Sequence, residues 1–331
     1  MNAGVSRLVR IRICTFAAAA ASALTCQLAP AQAYPAKSVR IVVPVALSGA
    51  TDIIARTLAQ RLSAAWNQQV VVDNRPGAGS NIGFEVASKA PADGYTLLLA
   101  QPAFTVNVSL YKKLAYDPIR DFSPVTLAVT GANVLVVHPS VPARTLKDLI
   151  ALAKAKAGQL SYASSGNGTT PHLSGELFKS MAGVNIVHVP YRGASQSVTD
   201  LIGGHVDMAF VSLSSVVPQL KAKRLRGLAT TSAQRSALMP DLPTFAEAGL
   251  KGYEVYGWYG FLVPAGTARD IIARLHADIT KALANPDVLQ TLNSVGLETV
   301  KANSPEEFGA FIRAEISKWA TVVQQSGAKA D

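Results

Sequence analysis

Ile41-Val42-Val43-Pro44-Val45-Ala46-Leu47-Ser48-Gly49-Ala50-Thr51-Asp52 is an apolar strand that breaks into a turn of small residues and then opens a helix. The helix is written in the next residues: Ile53, Ile54, Thr57, Leu58, Arg61 and Leu62 recur at i, i+3 and i+4, which predicts a helix over 51–66 with one face against a sheet. A strand feeding straight into such a helix is the building unit of layered α/β folds. The pattern returns at Ser164-Ser165-Gly166-Asn167-Gly168-Thr169-Thr170-Pro171. There a strand over 160–163 meets glycines and hydroxyls, with a proline in the first turn of the next helix, where its missing N–H costs nothing. Unpaired N–H groups at helix starts, reinforced by the helix dipole, bind carboxylate or phosphate without an arginine. Two such turns facing each other make a receptor for a small acid.

Beyond these two turns, strand-like and helical patterns alternate through most of the chain, predicting an α/β fold with largely parallel strands. Strands are expected over 38–43, 69–73, 95–100, 133–138, 160–163, 186–190, 208–211 and 225–230. Helices are expected over 51–66, 82–89, 146–157, 172–181, 195–202, 214–221, 268–284 and 305–324. No long flexible linker separates two halves, so the chain is expected to pass between domains on extended strands, and 123–130 and 253–263 qualify. That gives one domain from 34–130 with 257–331, a second from 131–256, and a ligand cleft between them.

The N-terminus reads as an export signal: Arg7, Arg10 and Arg12, an apolar stretch from Cys14 to Leu24, and Ala31-Gln32-Ala33 before Tyr34. Cleavage after Ala33 is expected to leave a periplasmic protein. The stretch is short for a membrane span, which needs roughly 20 residues, and no later segment sustains one. Lipidation at Cys26 is the alternative, against which Ala23-Leu24-Thr25 makes a poor lipobox. Both cysteines of the 331-residue chain lie in this segment, so the exported part has no disulfide and no cysteine-held metal. What remains has room for about two domains at ~150 residues each. Three of the formal +10 charges belong to the signal, and the remaining lysines and arginines are scattered without interleaved aromatics. That pattern suits mild attraction of anions and argues against nucleic acid.

Together these segments resemble the substrate-binding proteins of tripartite tricarboxylate transporters, the Bug receptors. The resemblance is carried by Pro44 to Asp52, Asn74 to Gly83, Asp93 to Leu98, Leu110 to Leu114 with Tyr116-Asp117-Pro118, and Phe122 to Val125. It continues through Tyr162 to His172, Val189 to Gly193, Gly204 to Asp207 and Leu242 to Phe245 with Glu247-Ala248-Gly249. It implies a two-domain periplasmic binding protein of the second structural type, with two α/β domains joined by crossing strands. It also implies a ligand carboxylate held by backbone amides, hydroxyls and waters from two loops, here 47–52 and 164–170. The implied partners are a small carboxylate and the subunits of a membrane transporter, or a membrane sensor kinase in a signalling variant, with the receptor a monomer. In the first loop the family pattern resembles Pro-Phe-Pro-Pro-Gly-Gly, whereas this chain has Pro44-Val45-Ala46-Leu47-Ser48-Gly49. Specificity is expected to differ there.

The candidate ligand residues are therefore Leu47, Ser48, Gly49, Ala50, Thr51 and Asp52 in the first loop, and Ser164, Ser165, Gly166, Asn167, Gly168, Thr169 and Thr170 in the second. The ordinary reading of both is helix capping, which is compatible with ligand binding because a helix start has several N–H groups to spare. Asp52 would repel a bound carboxylate, so it caps unless the ligand carries an amine. Thr170 is expected to be the cap of its helix, and His172 either donates to the acid or serves in capping or packing. Asn81 is expected near the cleft, in a loop leading into a helix, while Gln101, Thr105 and Asn107 follow a strand end, where α/β sheets present ligands. Arg192 either pairs with a second carboxylate or forms a structural ion pair. Asp207 either orients a ligand hydroxyl or amine, or caps a turn. Tyr256, Trp258 and Tyr259 read as core or hinge aromatics. Gly77-Ala78-Gly79-Ser80-Asn81-Ile82-Gly83 places its last glycine one residue late for a dinucleotide loop. No phosphate-loop Gly-Lys, zinc helix or nucleophile elbow is written, so no catalysis, metal or cofactor is expected, with an exported hydrolase as the lesser alternative.

Overall fold

The computed structural model describes residues 34–47, 49–191, 193–301 and 303–326. The expected export signal, Ser48 and Arg192 lie outside the described residues. The chain forms two units, 1–36 and 37–331; of the first only 34–36 are described, and the fold is that of the second.

Three strand–helix units open the chain: β1 (Val39–Val43) and α1 (Ala50–Trp66), then β2 (Val70–Asn74) with a one-turn 3₁₀ helix (Ala78–Ser80) and α2 (Asn81–Ser88), then β3 (Thr96–Ala100) and α3 (Ala103–Leu110). A long strand, β4 (Phe122–Val137), and α4 (Leu146–Ala155) follow. Three more units repeat the plan: β5 (Ser161–Ser164) with α5 (Thr170–Ala182), β6 (Val187–Pro190) with α6 (Ala194–Ile202), and β7 (Met208–Ser212) with α7 (Leu213–Lys221). The chain closes with β8 (Arg226–Thr230), β9 (Tyr256–Pro264), α8 (Arg269–Leu283), α9 (Pro286–Ser294), β10 (Leu297–Thr299) and α10 (Pro305–Ser326).

The strands lie in the order β2-β1-β3-β9-β4-β7-β5-β6, with β8 and β10 also paired to β4. Followed inward from its two ends, the sheet is the same object twice. β1 runs parallel to β2 and β3, as β5 does to β6 and β7, and each trio is closed by an antiparallel long strand, β9 against β3 and β4 against β7. The expected parallel sheet is thus mixed. The strands that cross between the halves must return the chain, so they run against their neighbours. The crossing segment 123–130 and the separate strand expected over 133–138 are one continuous strand: β4 pairs with β9 from Phe122 to Ala132 and with β7 from Asn133 to Val137.

Burial confirms the amphipathic reading of α1 with a small rotation. Ile54, Leu58, Leu62 and Trp66 are buried, while Arg61 is exposed and Ile53 and Thr57 lie on the flank. In the first half Phe84 meets Phe104 and Tyr116 edge to face at 5.2 and 5.4 Å, Phe104 meets Phe122 the same way at 5.2 Å, and Phe104 stacks on Tyr116 at 5.9 Å. The second half packs Tyr162, Phe178, Phe210, Phe245 and Tyr253. The last helix serves both cores: Phe308 and Ile312 join the first, and Trp319, Val322 and Val323 join the second. Two helices are additional to those expected. In α3 the β-branched Thr105 and Val106 disguise a helix whose first turn starts at Gln101-Pro102, and α9 carries a legible start, Pro286 after Asn285, whose Oδ1 accepts from Asp287 N at 3.1 Å.

Candidate functional site

Every strand of the two trios ends at the same face and hands over to a helix, so six helix starts gather along one cleft of about 950 Å³. From the first half come the starts of α1 (Gly49 to Thr51), α2 (Ser80) and α3 (Pro102, Ala103). From the second come those of α5 (Thr169 to His172), α6 (Ala194) and α7 (Ser212, Ser214). None of the six has its N-cap side chain bonded to the helix backbone. Among the described residues that line the cleft there is no lysine, arginine, aspartate or glutamate. Each helix start turned to the cleft supplies roughly half a positive unit charge from its peptide dipoles.

The second loop is wired to itself. Ser164 Oγ lies 2.7 Å from His188 Nε2 and accepts from Gly166 N at 3.1 Å. The Thr169 hydroxyl donates to Gly166 O at 2.7 Å, and Ser165 donates to Thr169 Oγ1 at 3.4 Å. Gly168 N donates to Nδ1 of His172, so the histidine caps the turn from inside the helix. Gly166 (φ 126°) and Gly168 (φ 74°) occupy backbone that side chains with a Cβ rarely adopt. Beneath the loop His172 stacks on His188, centroids 4.3 Å apart, and His188 on Tyr162 at 4.7 Å. Burial pulls the His172 pKa down, and burial with the neighbouring His172 pulls His188 down to about 3, so both rings are neutral at ordinary pH. The column rests on Tyr162, whose hydroxyl donates to Glu176 at 2.7 Å, and on the Lys179–Glu176 pair at 2.9 Å.

The first loop is held from behind. Asn74 Nδ2 donates to Val45 O at 3.1 Å and to Asp52 Oδ1 at 3.0 Å, while Arg56 Nε donates to Asp52 Oδ2 at 3.0 Å. Asp52 is buried on these partners and does not line the cleft. The face turned to the cleft is Val45, Ala46 and Leu47, the last 65% exposed. Beside it, Ala78 (φ 48°), Gly79 (φ 61°) and Ser80 (φ 80°) make a left-handed turn that costs about 1 kcal/mol or more at each non-glycine position. Asn107 Nδ2 to Gly79 O at 2.8 Å and Gln101 Nε2 to Ser80 Oγ at 3.0 Å hold it there.

Of the expected residues, the cleft collects Leu47, Gly49, Ala50, Thr51, Gln101, Asn107, Ser165, Asn167, Gly168, Thr169, Thr170 and His172. Others stand behind it. Ser164 and Gly166 brace the second loop, and Asn81 Oδ1 accepts from Asn107 and from the Tyr116 hydroxyl. Thr105 is fully buried and donates to Pro102 O at 3.0 Å. Asp207 Oδ2 accepts from Ser161 N and Oγ at 2.8 and 3.0 Å, fastening the start of β5. The cap of α5 is Thr169, one residue before the expected Thr170, because Pro171 takes the second helical position. Lining residues not foreseen include Ser80, Tyr111, Gly131, Asn133, Ser212, Gly257, Tyr259 and Leu297. The alternation of side chains along the crossing strands is the signal that would have found Gly131, Asn133, Gly257 and Tyr259.

The sequence model of the tripartite tricarboxylate transporter family receptor matches residues 54–328. A UPF0065 protein from the tcbD-tcbE intergenic region of Pseudomonas sp. (strain P51) is 41% identical over 88% of this chain and 87% of its own length. Among solved structures, Rpa4515 of R. palustris with adipate is 37% identical at a TM-score of 0.77, covering 89% of this chain and 99% of that one. MatC from Rhodopseudomonas palustris with bound malate is 29% identical at a TM-score of 0.75, covering 88% of this chain and all of that one. The chain belongs to the tripartite tricarboxylate transporter receptor family, with the two-lobed α/β fold of its periplasmic binding proteins.

Proposed function

We propose that this protein is a periplasmic receptor that captures a small organic di- or tricarboxylate between its two lobes and delivers it to a tripartite tricarboxylate-type membrane transporter. The lobes are 34–130 with 257–331, and 131–256, turning about the two crossing strands. One observation carries the reading: six uncapped helix starts converge on a cleft whose described lining holds no charged side chain. Such a cleft attracts anions through its helix starts, and no described lining residue supplies an ion pair. A charge-assisted hydrogen bond contributes about 1.5–3 kcal/mol and an exposed helix start about 0.3–1 kcal/mol. A micromolar complex needs about 8 kcal/mol, more than one loop gives a carboxylate. Two loops acting together reach it, which is the reason to close. The cleft is at the top of the roughly 300–1,000 Å³ range of ligand clefts, so a small acid touches both loops only after the lobes approach. Family membership supports binding without catalysis, and the adipate and malate held by relatives support the carboxylate class.

The test is a thermal-shift panel of organic acids, amino acids and sugars, followed by calorimetry on the hits. A ligand that binds only the folded form raises the melting temperature. The expected result is stabilisation by one or a few carboxylates. Stabilisation by sugars alone, with no response to any acid, would overturn the reading.

A further inference from the structure

The floor of the cleft says what the body of the acid looks like. β9, β4 and β10 present Gly257, Gly131 and Leu297 in one row across the sheet, and all three line the cleft. Two glycines side by side leave bare peptide surface. A Cβ on Gly131 would come within 3.0 Å of Leu297, and one on Gly257 within 3.3 Å of the Tyr259 hydroxyl, so the trough is closed at its sides by these two residues. Gly131, at the centre of the floor, is flanked by strands on both sides, so its own N–H and C=O are spent in the β4 ladders. At the mouth Val45, Ala46 and the exposed Leu47 add an apolar rim. The hydroxyls on the opposite wall are engaged with their own backbone or with one another: Ser215 donates to Ser212 O at 2.6 Å, and Ser212 and Ser214 lie 3.2 Å apart.

We infer that the cognate acid has an unsubstituted hydrocarbon body, extended or planar, carried over the glycine trough under Leu47, in preference to a polyhydroxylated acid. The inference rests on the receptor reading of the cleft. A ligand hydroxyl laid over Gly131 would lose water with only the Tyr259 hydroxyl at the edge of the trough to replace it, so several hydroxyls on one body are disfavoured by about tenfold.

Calorimetry on matched pairs tests it: adipate against galactarate, and succinate against tartrate, each pair sharing skeleton and charge and differing only in hydroxyls. The unsubstituted member of the better-binding pair is expected to bind at least about tenfold tighter, and Leu47→Ser to narrow that gap. Gly257→Val, which fills the trough, is expected to abolish binding of both while far-UV circular dichroism stays native. Equal or tighter binding of the hydroxylated member overturns this inference alone. Binding of sugars with no acid of either kind overturns the receptor reading and this one with it.

A separate observation concerns the back of the hinge. Side chains alternate along β4, β9 and β10, so that Gly131, Gly257 and Leu297 face the cleft while Thr130, Ala132, Tyr256 and Glu298 face a second cavity of about 550 Å³. This rear cavity is bounded by 232–234 from one lobe and 298–301 from the other. Rotation that narrows the front about these strands widens the rear. We propose, on the same lobe-closure reading, that residues filling the rear cavity set the balance between open and closed forms. Ala132→Trp and Ala233→Phe, neither near the ligand, are expected to tighten every binding acid by the same factor, roughly 3- to 10-fold, through slower release. Unchanged or weakened affinity in both folded variants would overturn it.

Discussion

The two halves of the cleft share a topology and differ in how their loops are held. Each comes from the first strand of its trio, β1 or β5, and each ends in the uncapped start of the following helix. The second loop spends its own side chains on itself: Ser164, Ser165, Thr169 and His172 all bond within it or to the histidine beneath it. The first is pinned from the rear instead, by Asn74 and Asp52. Self-wiring fixes the directions of the N–H groups, which would suit a loop that recognises a carboxylate whatever the body attached to it. Support from behind frees the front surface, which suits the loop that selects the body. On the receptor reading, we propose that recognition and selection are divided between the lobes.

That comparison breaks most visibly at the glycines. Gly166 has φ 126° and a Cβ there would meet Tyr191 O at 3.1 Å, whereas Gly49 has φ −84° and open space around it. Gly166→Val is expected to weaken acid binding by about 100-fold or more, since an L side chain must leave that conformation and take the loop with it. Calorimetry on a variant with native circular dichroism measures it. A smaller loss is expected from His172→Ala, roughly tenfold, because Gly168 N loses its acceptor and the turn loses its internal cap. His172→Asn, whose side-chain oxygen can reach a nearby N–H from the first turn, should recover part of the loss. If alanine and asparagine bind equally well as the parent, the wiring of the second loop is irrelevant to binding.

The histidine column adds a pH signature to the same half. His188 titrates near 3 in the fold against about 6.5 in an unfolded chain, so the unfolded chain binds the proton more readily. Its contribution is complete above about pH 6.5 and is lost as pH falls toward 3. The melting temperature of the parent should therefore fall faster between these limits than that of His188→Gln, with the two curves parallel above neutrality. Curves that stay parallel down to pH 4 would show that the ring is solvated and the stack loose. His172 is shifted in the same direction, so an acid bound above it, by favouring the protonated ring, should lessen the loss.

Strand-to-helix turns are legible because local physics writes them: the apolar runs, the small residues and the Pro171 start are all contiguous in sequence. The crossing strands are legible only as segments. β4 looks like two elements because Pro124 and two register shifts interrupt its alternation, although one ladder runs through it. The site can be read where it lies on helix starts and is missed where it lies on the sheet. Gly131 and Gly257 are far apart in the chain, and the alternation along each strand identifies them as the floor of a cleft only once their pairing is known. Thr105 and Asp207 show the converse. Both sit near strand ends, yet Thr105 turns inward onto its own helix and Asp207 onto Ser161, choices decided by packing that the sequence does not display.

The smallest expected effect tests the first loop. Gly49 carries the N-cap position of α1 in extended backbone that any residue adopts, and no heavy atom lies within 4 Å of where a Cβ would stand. Gly49→Ala costs a capping preference of a few tenths of a kcal/mol up to about 1 kcal/mol and leaves the N–H groups of Ala50 and Thr51 aimed as before. Affinity should change by no more than about twofold to threefold, measured on the same acid used for Gly166→Val. The reason lies in what holds the loop: Asn74 bonds Val45 O and Asp52, not Gly49, so a methyl group at the cap disturbs neither support. A loss as large as that at Gly166 would mean that the ligand lies against Gly49 itself. Selection and recognition would then share one loop, and the division of labour between the lobes would not hold.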